Sequence, residues 1–246
     1  MKLIFFGTSG GIQTKTNANV CFLVADEELS VLIDVSGNPV QYLERAGVDP
    51  RRLDALVLTH SHTDHIYALP SLIHNLWLMK RDKPLSIVSN PFTLERAKEL
   101  CACFSLLSKE NLFQIDWIRD TLAGIELFPV AHSTPTSGVK ISSSRSCIIY
   151  SSDTSPCKTI IRAAKGSEAL IHEASNTSEF EGRLNSAGHS SGRQAGVAAK
   201  EAGVEKLFLC HFDPQYAQNQ DKIVREAKGA FAGEVIIPEL FRAYEV

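Results

Sequence analysis

A mixed α/β fold, with sheets sandwiched by helices in one domain spanning residues 1–246, is what the sequence predicts. Short β-rich runs alternate with helical stretches along the whole chain. No linker, low-complexity tract or convincing repeat interrupts the alternation. The 44% hydrophobic content is an ordinary value for a globular chain.

The elements follow in order. "KLIFFG", "NVCFLVAD" and "LSVLIDVS" read as three strands within the first 36 residues. "VQYLERAG" is a short amphipathic helix that Gly47 is placed to end. "LDALVLT" is a buried strand, and "IYALPSLIHNLWLMKR" a helix with Pro70 near its start. The strand "PLSIVSN" precedes the helix "FTLERAKELCACFSLL", whose apolar residues recur at three-to-four spacing. The second half gives strands "FQIDWI", "GIELFPVA", "SRSCIIYSS" and "ALIHEA", the helix "GRQAGVAAKEAG", and strands "KLFLC" and "EVIIP". Pattern alone leaves the strand order open.

Net charge is −3, and Lys and Arg are scattered among acidic neighbours, so no basic block marks a nucleic-acid surface. The apolar run at the N-terminus stops at Gly7, short of the roughly 7–15 residues of a secretory core or the roughly 20 of a membrane span. A soluble, cytoplasmic protein is expected. The six cysteines form no C-x-x-C pair and read as reduced structural thiols.

The residues able to carry chemistry stand at strand ends. His60, His62, Asp64 and His65 follow "LDALVLT"; His132 follows "GIELFPVA"; Asp153 follows "CIIYSS"; His211 follows "KLFLC". In layered α/β folds functional groups gather there, because the loops converge over the sheet edge. If residues 60–62 are extended, His60 and His62 share one side, while Asp64 and His65 begin the turn into a helix and face elsewhere. Counting donors gives His60, His62 and His132 to one divalent ion, and Asp64, His65 and His211 to a second, with Asp153 as bridge. Imidazole and carboxylate suit zinc, with manganese or iron as alternatives, and this donor set leaves the open positions of a catalytic site. A lone histidine such as His74, inside an apolar helix, reads instead as structural.

The run "HSHTDH" resembles the hallmark H-x-H-x-D-H of the metallo-β-lactamase superfamily. The resemblance extends from "FFGTSGG" to "LCHFDP" and is nearest to ribonuclease-Z-like phosphodiesterases, on "GTSGG", "YSSDT", "HEAS", "GHSS" and "CHFDP". It implies a four-layer αββα sandwich with the metals at one edge of the two sheets. It implies that Asp64 orients or deprotonates the attacking water, and that Glu173 of "HEAS" holds His189 of "GHSS" as proton donor to the leaving group. Two departures concern RNA recognition. His132 and Asp153 are only 21 positions apart, filled by what reads as a hairpin where transfer-RNA enzymes carry a long arm, and "QTKTNA" keeps Lys15 of a P-x-K-x-R-N loop without its proline and arginine.

The expected activity is therefore a binuclear-metal phosphodiesterase favouring a small cyclic nucleotide or cyclic phosphate. A ribonuclease-Z-type transfer-RNA 3′-end endonuclease is the alternative, with RNA as partner. A lactone, thioester or other carbonyl hydrolase is a further one, for which "HEAS" and "GHSS" would be dispensable. A non-catalytic metal-binding member would lack a ligand, and none of the seven is missing here. Backbone N–H groups of "GTSGG" are candidates to hold phosphate, and Asn17 and Asn19 to line the pocket. No membrane partner is expected, and apolar helices such as "SLIHNLWLM" would serve as core or as a homodimer face.

Overall fold

The computed structural model describes residues 1–27 and 29–246. The chain begins with β1 (Lys2–Ser9), β2 (Ala18–Asn19), β3 (Cys21–Ala25), β4 (Ser30–Ile33), α1 (Pro39–Arg45) and β5 (Ala55–Val57). Next come α2 (Thr63–Ile66), α3 (Leu69–Leu78), β6 (Leu85–Ser89), α4 (Pro91–Ala102), β7 (Ile115–Arg119), β8 (Thr121–Leu122), β9 (Ile125–Pro129), β10 (Ser137–Ser142) and β11 (Cys147–Tyr150). The remainder is α5 (Lys158–Ala164), β12 (Ala169–Glu173), α6 (Glu181–Ala187), α7 (Gly192–Ala202), β13 (Lys206–Cys210), α8 (Gln220–Ala230), β14 (Glu234–Ile236) and β15 (Ala243–Glu245).

These strands build two mixed sheets. One has the order β15-β1-β3-β4-β5-β6-β7, with β2 beside β1; the other runs β14-β13-β12-β11-β10-β9-β8. In the first, β4 to β7 are parallel and the β15-β1-β3-β4 part is antiparallel. In the second, β11 to β14 are parallel and β8 to β11 antiparallel. The parallel strands are short continuous apolar runs such as "ALV" and "KLFLC", as expected where both faces of a sheet are covered.

Side-chain alternation sets the layers. In β3, Phe22 and Val24 join the core between the sheets, while Cys21 and Leu23 face the helical side with Leu72, Leu76 and Leu94 of α3 and α4. In β13, Phe208 and Cys210 enter the inter-sheet core, while Leu207 and Leu209 pack with Ala195, Ala199 and Ile223 of α7 and α8. Phe5 stacks on Phe22 at 5.0 Å and on Phe208 of the opposite sheet at 5.9 Å, so aromatic contact ties the two sheets together. The layers are helix, sheet, sheet, helix, as the resemblance implies.

Several predicted boundaries are corrected. The helix expected over 66–81 is α3 over Leu69–Leu78, and a short unexpected α2 ends at Ile66, with Tyr67 and Ala68 between them. Proline fits only the first turn, so Pro70 lets a helix start at Leu69 and not continue through it. The preceding residues are pinned to β4's exit loop by Val35 N–H donating to the His65 carbonyl (2.8 Å) and Ala68 N–H to the Val35 carbonyl (3.2 Å). The helix expected over 92–107 stops at Ala102, and Ser105 takes a left-handed φ of 50°. The chain adds α5, α6, α8 and β15, which the pattern does not predict. The hairpin expected between His132 and Asp153 is present as β10 and β11, paired from Val139–Tyr150 to Ser142–Cys147. Among the described residues no helix is long and apolar enough to cross a membrane.

Candidate metal centre

The strand ends converge as the topology requires. His60 lies just beyond β5 and His132 beyond β9, while Asp153 and His211 follow β11 and β13; all meet at one edge of the two sheets. His60, His62 and His132 form one group with potential ligand atoms within 4.8 Å of one another, and Asp64, His65 and His211 form a second. Asp153 stands between the two groups. Its Oδ2 is 3.8 Å from His60 Nε2 and 4.0 Å from His132 Nε2 on one side, and 3.5 Å from His65 Nε2 and 3.1 Å from His211 Nε2 on the other. All seven residues named from the sequence are thus brought together.

Burial and pairing test whether this cluster suits a metal. His60 Nε2, His65 Nε2, His211 Nε2 and Asp153 Oδ1 are buried with no hydrogen-bond partner. Each such atom carries a desolvation penalty of about 1–3 kcal/mol unless something coordinates it. The opposite ring nitrogens are held from outside. His60 Nδ1 meets Thr59 Oγ1 at 3.0 Å, His65 Nδ1 meets Asp34 Oδ2 at 2.7 Å, His132 Nδ1 donates to the Gly188 carbonyl at 2.8 Å, and His211 Nδ1 meets Ser175 Oγ at 3.3 Å. Outer bonds of this kind fix ring tautomer and direction in metal-ligating histidines. The residues fit divalent cations.

Electrostatics agrees. Burial holds His60, His62 and His132 below the usual histidine range, leaving the neutral ring that a metal requires. Burial acts the same way on His211, but Asp153 outweighs it and lifts that ring to about 10. Burial opposes ionisation of Asp64 as well, yet the neighbouring His211 and His65 rings carry it below the usual carboxylate range. An anionic pair among imidazoles is a cation site.

Asp34 is a residue the sequence reading missed. It follows β4, fully buried, and accepts from Thr59 N–H (2.8 Å), Thr59 Oγ1 (3.0 Å) and His65 Nδ1 (2.7 Å). The strand-end rule that found the other carboxylate applied equally to "LIDVS". Asp34→Asn is expected to weaken zinc affinity about 10–100-fold, measured by competition with a chromophoric chelator. An unchanged affinity would show that His65 does not depend on Asp34.

Glu173 ends β12, and its carboxylate is saturated with donors. Oε1 accepts from Thr154 N–H (2.7 Å) and His189 Nδ1 (3.0 Å); Oε2 accepts from Ser175 Oγ and Ser190 N–H, both at 3.0 Å. His189 packs against the cluster, with its ring 5.0 Å from His132 and 5.1 Å from His211. Burial works against a charged ring at His189, but the Glu173 carboxylate prevails and the pKa is raised. His172 lies outside the site, buried, with Nδ1 turned to a backbone carbonyl, and His74 lies against Trp77 on α3.

The expectation that "GTSGG" amides hold phosphate is corrected in part. Thr8 N–H donates to Asn17 Oδ1 and Gly10 N–H to the Phe212 carbonyl, so both are engaged internally. Asn17 and Asn19 brace this loop, Asn19 Nδ2 donating to the Gly10 carbonyl at 2.5 Å. Glycine at 10 leaves close quarters for the His211 ring, since a Cβ there would lie 3.1 Å from it and the ring would have to give by a few tenths of an ångström. At 188 it serves both room and conformation, with φ +83° and a Cβ position 2.6 Å from His132 Nδ1.

Residues 30–212 match the family model described as "Beta-lactamase superfamily domain". Ribonuclease Z of Methanosarcina mazei is 22% identical over 304 residues, covering 98% of this chain and 96% of that protein. The metallo-β-lactamase fold protein YhfI from Bacillus subtilis superposes with a TM-score of 0.85 at 25% identity, covering 99% of this chain and 98% of that one. The short form of human tRNase Z gives 0.81 at 18% identity, covering 100% and 99%.

Proposed function

As this chain belongs to the metallo-β-lactamase superfamily and is related at low identity to ribonuclease Z, we propose that it hydrolyses phosphodiesters at a binuclear, zinc-type centre. His60, His62 and His132 would hold one ion, Asp64, His65 and His211 the other, and Asp153 both. Two such ions would supply Lewis acidity and lower the pKa of water from 15.7 toward about 7.

The protein's own groups do the rest. Asp64, whose Oδ2 is 3.4 Å from His65 Nε2, would orient the attacking water and take its proton. As the phosphorus gains that oxygen it loses the bond to the leaving oxygen, which must collect a proton. His189 delivers it, and Glu173 keeps the imidazole charged and aimed.

The Glu173–His189 pair is the observation that carries this reading. Expulsion of an alkoxide from phosphorus gains most from a proton delivered as the bond breaks. A carbonyl hydrolase can protonate its leaving group in a later step and has less use for such a pair. The short β10–β11 hairpin and the loop carrying Lys15 support a small cyclic nucleotide or cyclic phosphate over a folded RNA. The second reading, a transfer-RNA 3′-end endonuclease, is favoured by the end-to-end similarity to a ribonuclease Z.

The test is hydrolysis by the zinc-loaded protein of bis-p-nitrophenyl phosphate, cyclic AMP and a precursor transfer RNA, beside a β-lactam and a lactone. Turnover of phosphodiesters only is expected, with cyclic AMP preferred to RNA. Turnover of the carbonyl substrates alone would overturn the reading.

A further inference from the structure

A cavity of about 260 Å³ opens beside the metal-ligand cluster on the His189 side, with His189 and His211 in its lining. Ile12, Phe180, Leu184 and Pro214 give it apolar walls, and Arg183 of α6 is the one Lys or Arg in its lining among the described residues. The volume is slightly below the roughly 300–1,000 Å³ of drug-sized pockets, which suits one sugar-and-base unit and no folded nucleic acid.

Arg183 differs from the cations around it. Glu179 is paired with Lys222 at 3.0 Å, and Glu181 with Arg193 at 2.6 Å, so the acidic groups just before and at the start of this helix already have partners. Asp213, the carboxylate in the cavity lining, accepts from Gln215 N–H at 3.0 Å. Arg183 itself has no ion pair or side-chain hydrogen bond among the described residues. Its position is tied to the chemistry through one short stretch of chain. Helix α6 ends at Gly188, whose carbonyl holds His132, and His189 follows directly.

We propose that this cavity receives the sugar-and-base unit carrying the leaving oxygen, and that Arg183 makes it selective for substrates with a second phosphate beyond the one hydrolysed, as in a cyclic dinucleotide; a nucleoside monophosphate would then bind there in preference to a neutral nucleoside. The assignment rests on the phosphodiesterase reading, because His189 defines the leaving-group side of the site. The apolar walls would take the base, and the guanidinium the phosphate, for which its planar fork of donors is suited.

Equilibrium dialysis of the zinc-loaded full chain with thymidine, thymidine 5′-monophosphate and thymidine 3′-monophosphate tests this. One of the two nucleotides is expected to bind at least about 10-fold more tightly than thymidine, the scale of one charge-assisted contact. In Arg183→Gln the preference should fall to near parity, and Arg183→Lys should keep part of it. A preference that survives intact in Arg183→Gln would place the phosphate on the metals and overturn the proposal, as would equal binding of all three by the wild type. Hydrolysis of bis-p-nitrophenyl phosphate by the wild type is followed in parallel. Arg183-dependent nucleotide binding without any hydrolysis would sink the phosphodiesterase reading and leave the nucleotide site standing.

Discussion

Replacing Asp153 with asparagine should remove at least one ion from the centre and lower phosphodiester turnover about 10³-fold or more. Its Oδ2 is within 4.0 Å of a ring nitrogen from each of the two ligand groups, a relation that no other carboxylate among the described residues shares. A factor of 10³ corresponds to about 4 kcal/mol of transition-state stabilisation, the scale of one Lewis-acid contact. Asparagine keeps the shape and removes the charge, so the fold should survive. Inductively coupled plasma mass spectrometry on dialysed protein, run beside kcat, checks both parts. Thermal stability offers a second readout, since a ligand bound only by the native state at about 1,000 times its Kd adds about 4 kcal/mol. The rise in Tm on adding zinc should therefore be smaller in the variant. Full metal content with full activity would show that Asp153 is not the shared ligand.

The second large effect concerns His189. His189→Ala should lower kcat about 10²–10⁴-fold on substrates whose leaving group is an alkoxide, such as cyclic AMP, the usual range for a lost general acid. The same variant should lose far less on bis-p-nitrophenyl phosphate, because p-nitrophenolate departs without a proton. A merely structural role would damage both substrates alike, so the ratio of the two losses discriminates. Zinc content should stay at the wild-type level, since the proposed ligands are His60, His62, Asp64, His65, His132, Asp153 and His211, and His189 is not among them. Glu173→Gln should follow the same substrate pattern with a smaller loss, because the imidazole remains but is no longer held charged.

The His/Asp cluster was legible in the sequence because its residues are close in sequence or sit at strand ends. "HSHTDH" needs no tertiary information to look like a ligand run, and His132, Asp153 and His211 each close an apolar strand. The outer layer was less legible. Thr59, Ser175 and the Gly188 carbonyl act through partners remote in sequence, and a backbone carbonyl leaves no residue-type signal at all. Helix α6 escaped for a plain physical reason: none of its residues is buried, so "EGRLNSA" carries no apolar stripe. The engaged amides of Thr8 and Gly10 depend on Asn17 and Phe212, the latter brought in from the far end of the chain. Nor did composition single out Arg183, because nothing in a sequence says which of many cations keeps a partner.

The most direct test of a binuclear phosphodiesterase is a titration of the metal-free chain with zinc, following turnover of bis-p-nitrophenyl phosphate. Activity should rise to a plateau at two equivalents per chain. A plateau at one equivalent, or no turnover at any zinc level, would contradict it.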